Sequence, residues 1–111
     1  MLRFGGSEIE WDSSDQYDSR VVGFERWREL GNFEGLKPRA GVYIFVNVNW
    51  QMKYIGKACA GRMISEIYRA IDLWKDFGAT RVKALYTNSS EKAQSLERDL
   101  IEKYDPPSNL T

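Results

Sequence analysis

The alternation of apolar and polar positions predicts a β-hairpin in the middle of the chain. Over residues 41–48, β-branched residues occupy every second position, which is the two-residue period of a strand. Residues 47–51 predict a turn, and residues 52–56 predict a returning strand. Opposed residues of an antiparallel hairpin share a face. An even-numbered connection would therefore place Tyr43 and Tyr54 on one face, whereas an odd-numbered connection would separate them.

Helical periodicity follows the hairpin. Apolar residues recur at intervals of three and four from about residue 61 to residue 77, and Gly78 follows as a C-terminal stop. The apolar stripe expected for this helix consists of Met63, Ile64, Ile67, Ala70, Ile71 and Trp74.

A third strand and a second helix complete the pattern. Residues 80–87 predict the strand, and Asn88 with Glu91 three residues later resembles a capping box that opens the helix. The order β-β-α-β-α predicts a small α/β domain, with a three-stranded antiparallel sheet flanked by helices.

Residues 1–37 form an N-terminal extension that is packed on, or precedes, the core domain of residues 38–111. Gly, Ser and Asp are abundant in residues 5–20, which predicts a loop with a short strand near residues 9–11. Residues 21–30 could form a short helix that ends before a glycine. At 111 residues, the chain has room for a single domain.

The composition is that of a globular protein. Hydrophobic residues make up 42% of the chain, and the apolar stretches are far shorter than a membrane span. The first residues lack the apolar core of a signal peptide, and the single Cys59 cannot form an internal disulfide. We therefore expect a reduced, cytoplasmic protein that does not associate with membranes, in which Cys59 is a packing residue.

The chain contains no histidine, which excludes several chemistries. Serine and cysteine triads that depend on histidine, the usual zinc sites and the histidine-based metal nucleases are all ruled out. A metal would have to be bound by carboxylates, carbonyls and water, which favours magnesium, manganese or calcium. In a hydrolase, the general base would be a tyrosine, a lysine, a carboxylate or water bound to a metal.

The net charge is zero, but the charges are unevenly distributed. Residues 38–87 contain eight Lys and Arg against three Asp and Glu, whereas acidic residues exceed basic ones in residues 1–37 and 88–111. The basic segment could form a nucleic-acid-binding face, or it could simply contribute to a solvated surface of mixed charge.

Glu97 interrupts the apolar stripe of the last helix. On a helical wheel it falls among Ala93, Leu96, Leu100, Ile101 and Tyr104. A carboxylate that faces a core is costly unless it is paired, protonated or bound to a metal. Glu97 could therefore pair with a basic residue at the rim of the core, or bind a metal ion.

Two tripeptides, residues 41–43 and 54–56, reveal a family resemblance. They read Gly-Val-Tyr and Tyr-Ile-Gly, and together they resemble the signature of the GIY-YIG nuclease superfamily. The order of the residue types that follow is also that of the family, namely Lys57, Arg62, Glu97 and Asn109. The resemblance covers roughly residues 38 to 111, and the Tyr-Ile-Gly-Lys-Ala run resembles the excision-repair branch in particular.

The resemblance implies a metal-dependent endonuclease that hydrolyses phosphodiester bonds of DNA. Glu97 would bind one divalent cation, Mg²⁺ or Mn²⁺, and water would attack the phosphorus opposite the leaving 3′-oxygen. Tyr43 would act as the base, assisted by Tyr54 and Lys57. The remaining two roles fall to Arg62, which would stabilise the phosphorus, and to Asn109, which would maintain the geometry of the site.

The first helix departs from the family pattern. Arg62 lies closer to the second tripeptide than is usual, and Glu66 stands where the family often has His or Tyr. Arg62 could instead form a surface pair with Glu66, and Arg69 is then the alternative phosphate contact. We nevertheless predict that Arg62 points into the cleft that contains the two tyrosines.

Other interpretations remain open for the whole chain. The two tyrosines could be ordinary strand aromatics, and Asn109 could cap a turn. The domain could bind nucleic acid without cutting it, or its acidic first 37 residues could contact a protein partner. Family members usually obtain specificity from an attached domain, so a homodimer or a partner protein could supply it here.

Overall fold

The computed structural model describes residues 9–73, 78–106 and 109. Within these residues, a short 3-10 helix, Ser13–Tyr17, precedes the sheet and the two helices. The elements are β1 (Val21–Phe24), β2 (Arg28–Glu29), β3 (Gly41–Val46), β4 (Met52–Ala58), α1 (Met63–Leu73), β5 (Arg81–Thr87) and α2 (Ser90–Tyr104).

The five strands form one antiparallel sheet in the order β1-β5-β3-β4. The short β2 pairs with β5 beyond β1, so β1 and β2 bind successive parts of the same strand. The predicted β3, β4 and β5 are confirmed, but the sheet has two strands more than the three that we predicted. The helix predicted over residues 21–30 is wrong, because this segment forms β1 and β2.

A β-bulge determines which side chains share a face in the β3–β4 hairpin. Tyr43 lies opposite Gly56 and Phe45 opposite Tyr54, but Val46 lies opposite Met52. β4 therefore contains one additional residue at this point, which compensates for the odd number of residues in the turn. Tyr43 and Tyr54 therefore lie on the same face of the sheet, although the connection is odd-numbered and would have separated them without the bulge.

The sheet lies between the two helices, with a hydrophobic core on each face. The core beneath α1 contains Phe33, Leu36, Tyr43, Phe45, Ala58, Met63, Ile67, Ala70, Val82, Ala84 and Tyr86. The core beneath α2 contains Val42, Ile44, Val46, Met52, Ile55, Leu85, Leu96, Leu100 and Tyr104. At the start of β3, Gly41 allows the strands to approach, because a Cβ there would overlap the carbonyl oxygen of Leu85.

The helix boundaries differ slightly from the prediction. α1 lies inside the predicted range and buries Met63, Ile67 and Ala70, whereas the predicted Trp74 is outside the described residues. α2 is capped by Ser89, whose hydroxyl accepts a hydrogen bond from the Lys92 amide at 3.1 Å. The capping box that we predicted at Asn88 is therefore wrong by one residue.

Hydrogen bonds fasten the described part of the N-terminal extension to the core. The Tyr104 hydroxyl on α2 accepts a hydrogen bond from the Asp12 amide at 2.8 Å and donates one to Asp15. On β5, the Tyr86 hydroxyl accepts from the Lys37 amide at 2.8 Å and donates to Glu25 at 2.9 Å. Neither of the described helices has the length and apolar character needed to cross a bilayer.

Candidate functional site

A cleft of about 210 Å³ opens between α1 and the β3–β4 hairpin. It is lined by Tyr43, Tyr54, Glu66, Arg69, Ala70 and Leu73. Two phenols, one carboxylate and one guanidinium therefore face the same small volume. This grouping brings together both tyrosines of the two tripeptides.

The two tyrosines occupy different depths of the cleft. Tyr43 is buried, and its ring centroid lies 6.2 Å from that of Tyr54. Tyr54 is only half-buried and stacks on Phe45 at 5.9 Å. The Tyr43 ring crosses directly over Gly56, because a Cβ at this glycine would overlap the Cζ atom and the hydroxyl oxygen. The glycine of the second tripeptide thus creates the space that the tyrosine of the first one occupies.

The surroundings of Tyr43 keep its hydroxyl protonated. Burial raises the pKa of Tyr43 above its ordinary value, and the neighbouring Tyr54 and the carboxylates of Glu66 and Glu97 raise it further. At neutral pH the side chain is therefore a neutral phenol that can donate a hydrogen bond. It can accept a proton from water only if its own proton is removed or a cation lowers its pKa.

The two candidate arginines lie on either side of Glu66. Arg62 Nη2 is 3.8 Å from one carboxylate oxygen, and Arg69 Nη1 is 3.9 Å from the other. Arg69 lines the cleft, whereas Arg62 directly precedes α1 and is not among the lining residues. The predicted position of Arg62 inside the cleft is therefore wrong. The physical reason is the path of α1, because the helix residues that line the cleft begin one turn beyond Arg62, at Glu66.

Glu97 and Lys57 lie on the opposite side of the edge strand β4. Lys57 pairs with Val42, whose side chain belongs to the core beneath α2, so the lysine faces that helix. Glu97 is partly buried on α2. Burial raises its pKa, and the positive charge of Lys57 opposes this rise. Because Glu97 also acts on the pKa of Tyr43, the two halves of the site interact across β4.

Glu97 is a single carboxylate, and the only cation that it could hold is one that keeps most of its water ligands, as magnesium does. Among the described residues, no group of three Asp, Glu, Cys or His side chains gathers into a protein-only cage. Magnesium commonly binds through one or two carboxylates, several waters and the phosphates of a substrate. A partly buried carboxylate with a raised pKa is an incompletely compensated charge, and a cation would compensate it.

Asn109 supports the strand that carries Tyr54. Its side-chain amide accepts a hydrogen bond from the Ile55 amide and donates one to the Ile55 carbonyl, both at 2.8 Å. These contacts satisfy both backbone groups of Ile55 at the outer edge of the sheet. Asn109 therefore fixes β4 between Tyr54 and Gly56.

Glu66 is the site residue whose position sequence reasoning missed. We considered it only as a partner for a surface arginine, yet its side chain is 23% exposed against 61% for Arg62 and 71% for Arg69. A helical wheel could have indicated that Glu66 faces the cleft, because it places Glu66 beside the buried Met63 and Ala70.

Comparison of the chain with protein-family models and with curated proteins gives no match in either case. The class that the structure defines is a small α/β domain, in which an antiparallel five-stranded sheet lies between two helices.

Proposed function

We propose that this chain is a divalent-metal-dependent endonuclease that hydrolyses phosphodiester bonds of DNA through a site of the GIY-YIG type. One observation carries the proposal. The tyrosines of both tripeptides share one cleft with an arginine, and Glu97 and Lys57 lie across the same edge strand. Residues about fifty positions apart in the sequence are thus brought to the two sides of one edge strand, which supports a shared phosphodiester site.

Each side chain would have a separate task. Glu97 would hold the cation, Mg²⁺ or Mn²⁺, which when bound supplies Lewis acidity and neutralises phosphate charge. Tyr43 would hold the attacking water, with Tyr54 beside it at the open side of the cleft. Lys57 would add positive charge near the phosphate, and Asn109 would keep β4 in register with the cleft.

The activity can be tested directly. The purified protein is incubated with supercoiled, branched and single-stranded DNA in the presence of Mg²⁺ or Mn²⁺, with EDTA as the metal-free control. We expect strand cleavage that requires the metal ion. If all three DNA forms stay intact with both metals, the proposed function is wrong. Because the single Cys59 favours a reducing compartment, we propose a cytoplasmic DNA substrate.

We predict that Tyr43→Phe loses far more activity than stability. The ring fills the core above Gly56, and phenylalanine keeps that packing while removing the hydroxyl. Proton transfer by such a group typically contributes roughly 10²–10⁴-fold to the rate. Single-turnover cleavage and thermal unfolding measure the two effects. Equal damage to activity and folding would assign the hydroxyl an ordinary structural role.

We predict that Arg69→Ala slows cleavage at saturating DNA more than Arg62→Ala does. Arg69 borders the cleft, so its loss should remove charge stabilisation in the transition state, by roughly 10²-fold. Arg62 should contact flanking backbone, and its loss should mainly weaken binding and reduce the salt dependence of binding. Arg98→Ala, at an exposed position of α2, is the matched control. A larger rate loss in Arg62→Ala would restore the original assignment.

A second candidate function is nucleic-acid binding without cleavage. The protonated state of Tyr43 favours it, because a neutral phenol donates a hydrogen bond to a phosphate but does not activate water. In that case, DNA would bind with a salt dependence set by Arg62 and Arg69, and metal ions would produce no cleavage products. A homodimer or a partner protein would then supply any catalytic function.

A further inference from the structure

Glu66 poses a problem for a cleft that accepts DNA. It places a carboxylate in the lining, together with Tyr43 and Arg69, where a phosphodiester would have to enter. A carboxylate in this position repels the substrate and weakens binding, so its presence is explained if it has a task in the reaction. Its contacts with Arg62 and Arg69 do not explain it, because ion pairs of 3.8 and 3.9 Å to exposed guanidinium groups contribute little stability.

Tyr43 poses a complementary problem. Its hydroxyl is buried and protonated, so it needs an acceptor for its own proton before it can take one from water. The groups that act on it come from three elements, namely Tyr54 on β4, Glu66 on α1 and Glu97 on α2. Glu97 is the group to which we assign the metal ion, and Tyr54 is itself a phenol. Glu66, unlike Glu97, lines the same cleft as Tyr43.

We propose that Glu66 is the final proton acceptor of the hydrolysis, taking the phenolic proton of Tyr43 while the Tyr43 oxygen takes a proton from the attacking water. This inference rests on the proposed nuclease function. It solves both problems, because Tyr43 stays neutral before and after the step, and the carboxylate in the cleft has a reason to be there.

The atoms of the step balance. The water oxygen forms a bond to phosphorus, and the bond from phosphorus to the 3′-oxygen breaks with its electron pair on that oxygen. One water proton passes to Tyr43 as the phenolic proton passes to Glu66. The 3′-oxygen takes up a proton from solvent, and Glu66 later releases one, so the net change is addition of one water across the phosphodiester bond.

The test is a double-mutant cycle of cleavage rates at saturating DNA. Glu66→Gln keeps the size of the side chain but removes the proton acceptor, together with the weak ion pairs to Arg62 and Arg69. We expect it to slow cleavage by roughly 10²–10⁴-fold, while Glu66→Asp restores part of the rate. The double variant Glu66→Gln with Tyr43→Phe should cleave DNA no more slowly than the slower of the two single variants, because both substitutions interrupt the same proton relay. Glu102→Gln, exposed on α2, is the matched control.

DNA binding provides a readout that a structural role would not produce. With Ca²⁺ in place of Mg²⁺, Glu66→Gln should bind DNA more tightly than the wild type, because a charge that repels phosphate is removed. Thermal unfolding should be unchanged, since the ion pairs of Glu66 are weak.

The outcomes separate this inference from the proposed function. Suppose that the wild type cuts DNA and that Glu97→Gln does not cut it. If Glu66→Gln then cuts at the wild-type rate, the relay is overturned but the nuclease function is not. Rate losses of Glu66→Gln and Tyr43→Phe that multiply, or a Glu66→Gln defect caused by weaker binding, also overturn the relay. If the wild type itself cuts no DNA, the nuclease function fails and the relay fails with it.

Discussion

Glu97→Gln should reduce metal-dependent cleavage to background while the protein remains folded. Glutamine has nearly the same shape as glutamate but no charge with which to hold a divalent cation. The side chain is partly buried beneath α2, and Lys57 is the neighbouring charge that favours its ionised form. Cleavage of supercoiled DNA over a range of Mg²⁺ concentrations measures the loss, with Glu102→Gln as the control on the same helix. Near wild-type cleavage by Glu97→Gln would exclude the metal assignment.

The same substitution should increase thermal stability at pH 7. Because burial raises the pKa of Glu97 in the folded state, the protonated form is the one that the fold favours. The contribution of Glu97 to the free energy of unfolding is fully present below 4.5, the pKa of this carboxyl in the unfolded chain. This contribution is lost as the pH rises through the pKa of the folded state. Glutamine mimics the protonated form, so its advantage should shrink as the pH falls towards 4.5. If the stability gain of Glu97→Gln did not depend on pH, its cause would not be the raised pKa of Glu97.

Gly56→Ala should damage both the candidate site and the packing of the core around it. The new Cβ would overlap the Cζ atom and the hydroxyl oxygen of Tyr43, whose ring is buried and cannot move aside freely. We expect a destabilisation of roughly 1–3 kcal/mol, typical of overpacking in a core. We also expect loss of cleavage, because the displaced ring no longer presents its hydroxyl in the cleft. Urea unfolding and single-turnover cleavage measure the two effects.

Gly31→Ala is the matched control for this prediction. A Cβ at Gly31 has no heavy atom within 4 Å, so the same chemical change should alter stability by no more than about 0.5 kcal/mol. Equal stability and equal cleavage in Gly56→Ala and Gly31→Ala would show that the Tyr43 ring does not cross Gly56.

Local periodicity predicted the parts of the fold that are stabilised locally. β3, β4, β5 and both helices carry their own pattern of apolar residues, and the structure confirms each of them. Residues 21–30 carry no such pattern. They become β1 and β2 because β5 offers a free edge to pair with, and that edge exists only in the assembled sheet. The bulge in β4 is equally invisible in the sequence, because it depends on how the turn closes.

In the candidate site, too, local sequence patterns predict some features, whereas others depend on the assembled fold. The sequence could predict that Tyr43 and Tyr54 lie close together and that Glu97 is partly buried. Which of Arg62 and Arg69 lines the cleft could not be predicted. Seven residues apart, they differ by only about 20° around the helix axis. What separates them is where α1 lies along the sheet, and the packing of the core beneath the helix determines that position.

The pairing of β1 and β2 with β5 has a consequence for synthesis of the protein. Their partners follow them by about 50 to 65 residues, so this side of the sheet consists of non-local contacts that form slowly. At a ribosomal rate of roughly 5–20 residues per second, β1 waits for roughly 3–12 s before β5 has been made. During that interval the nascent chain carries the side chains of Val22 and Phe24, which stay exposed even after folding, on a strand without a partner. The rate of translation through residues 30–87 therefore sets how long this segment is open to misassembly.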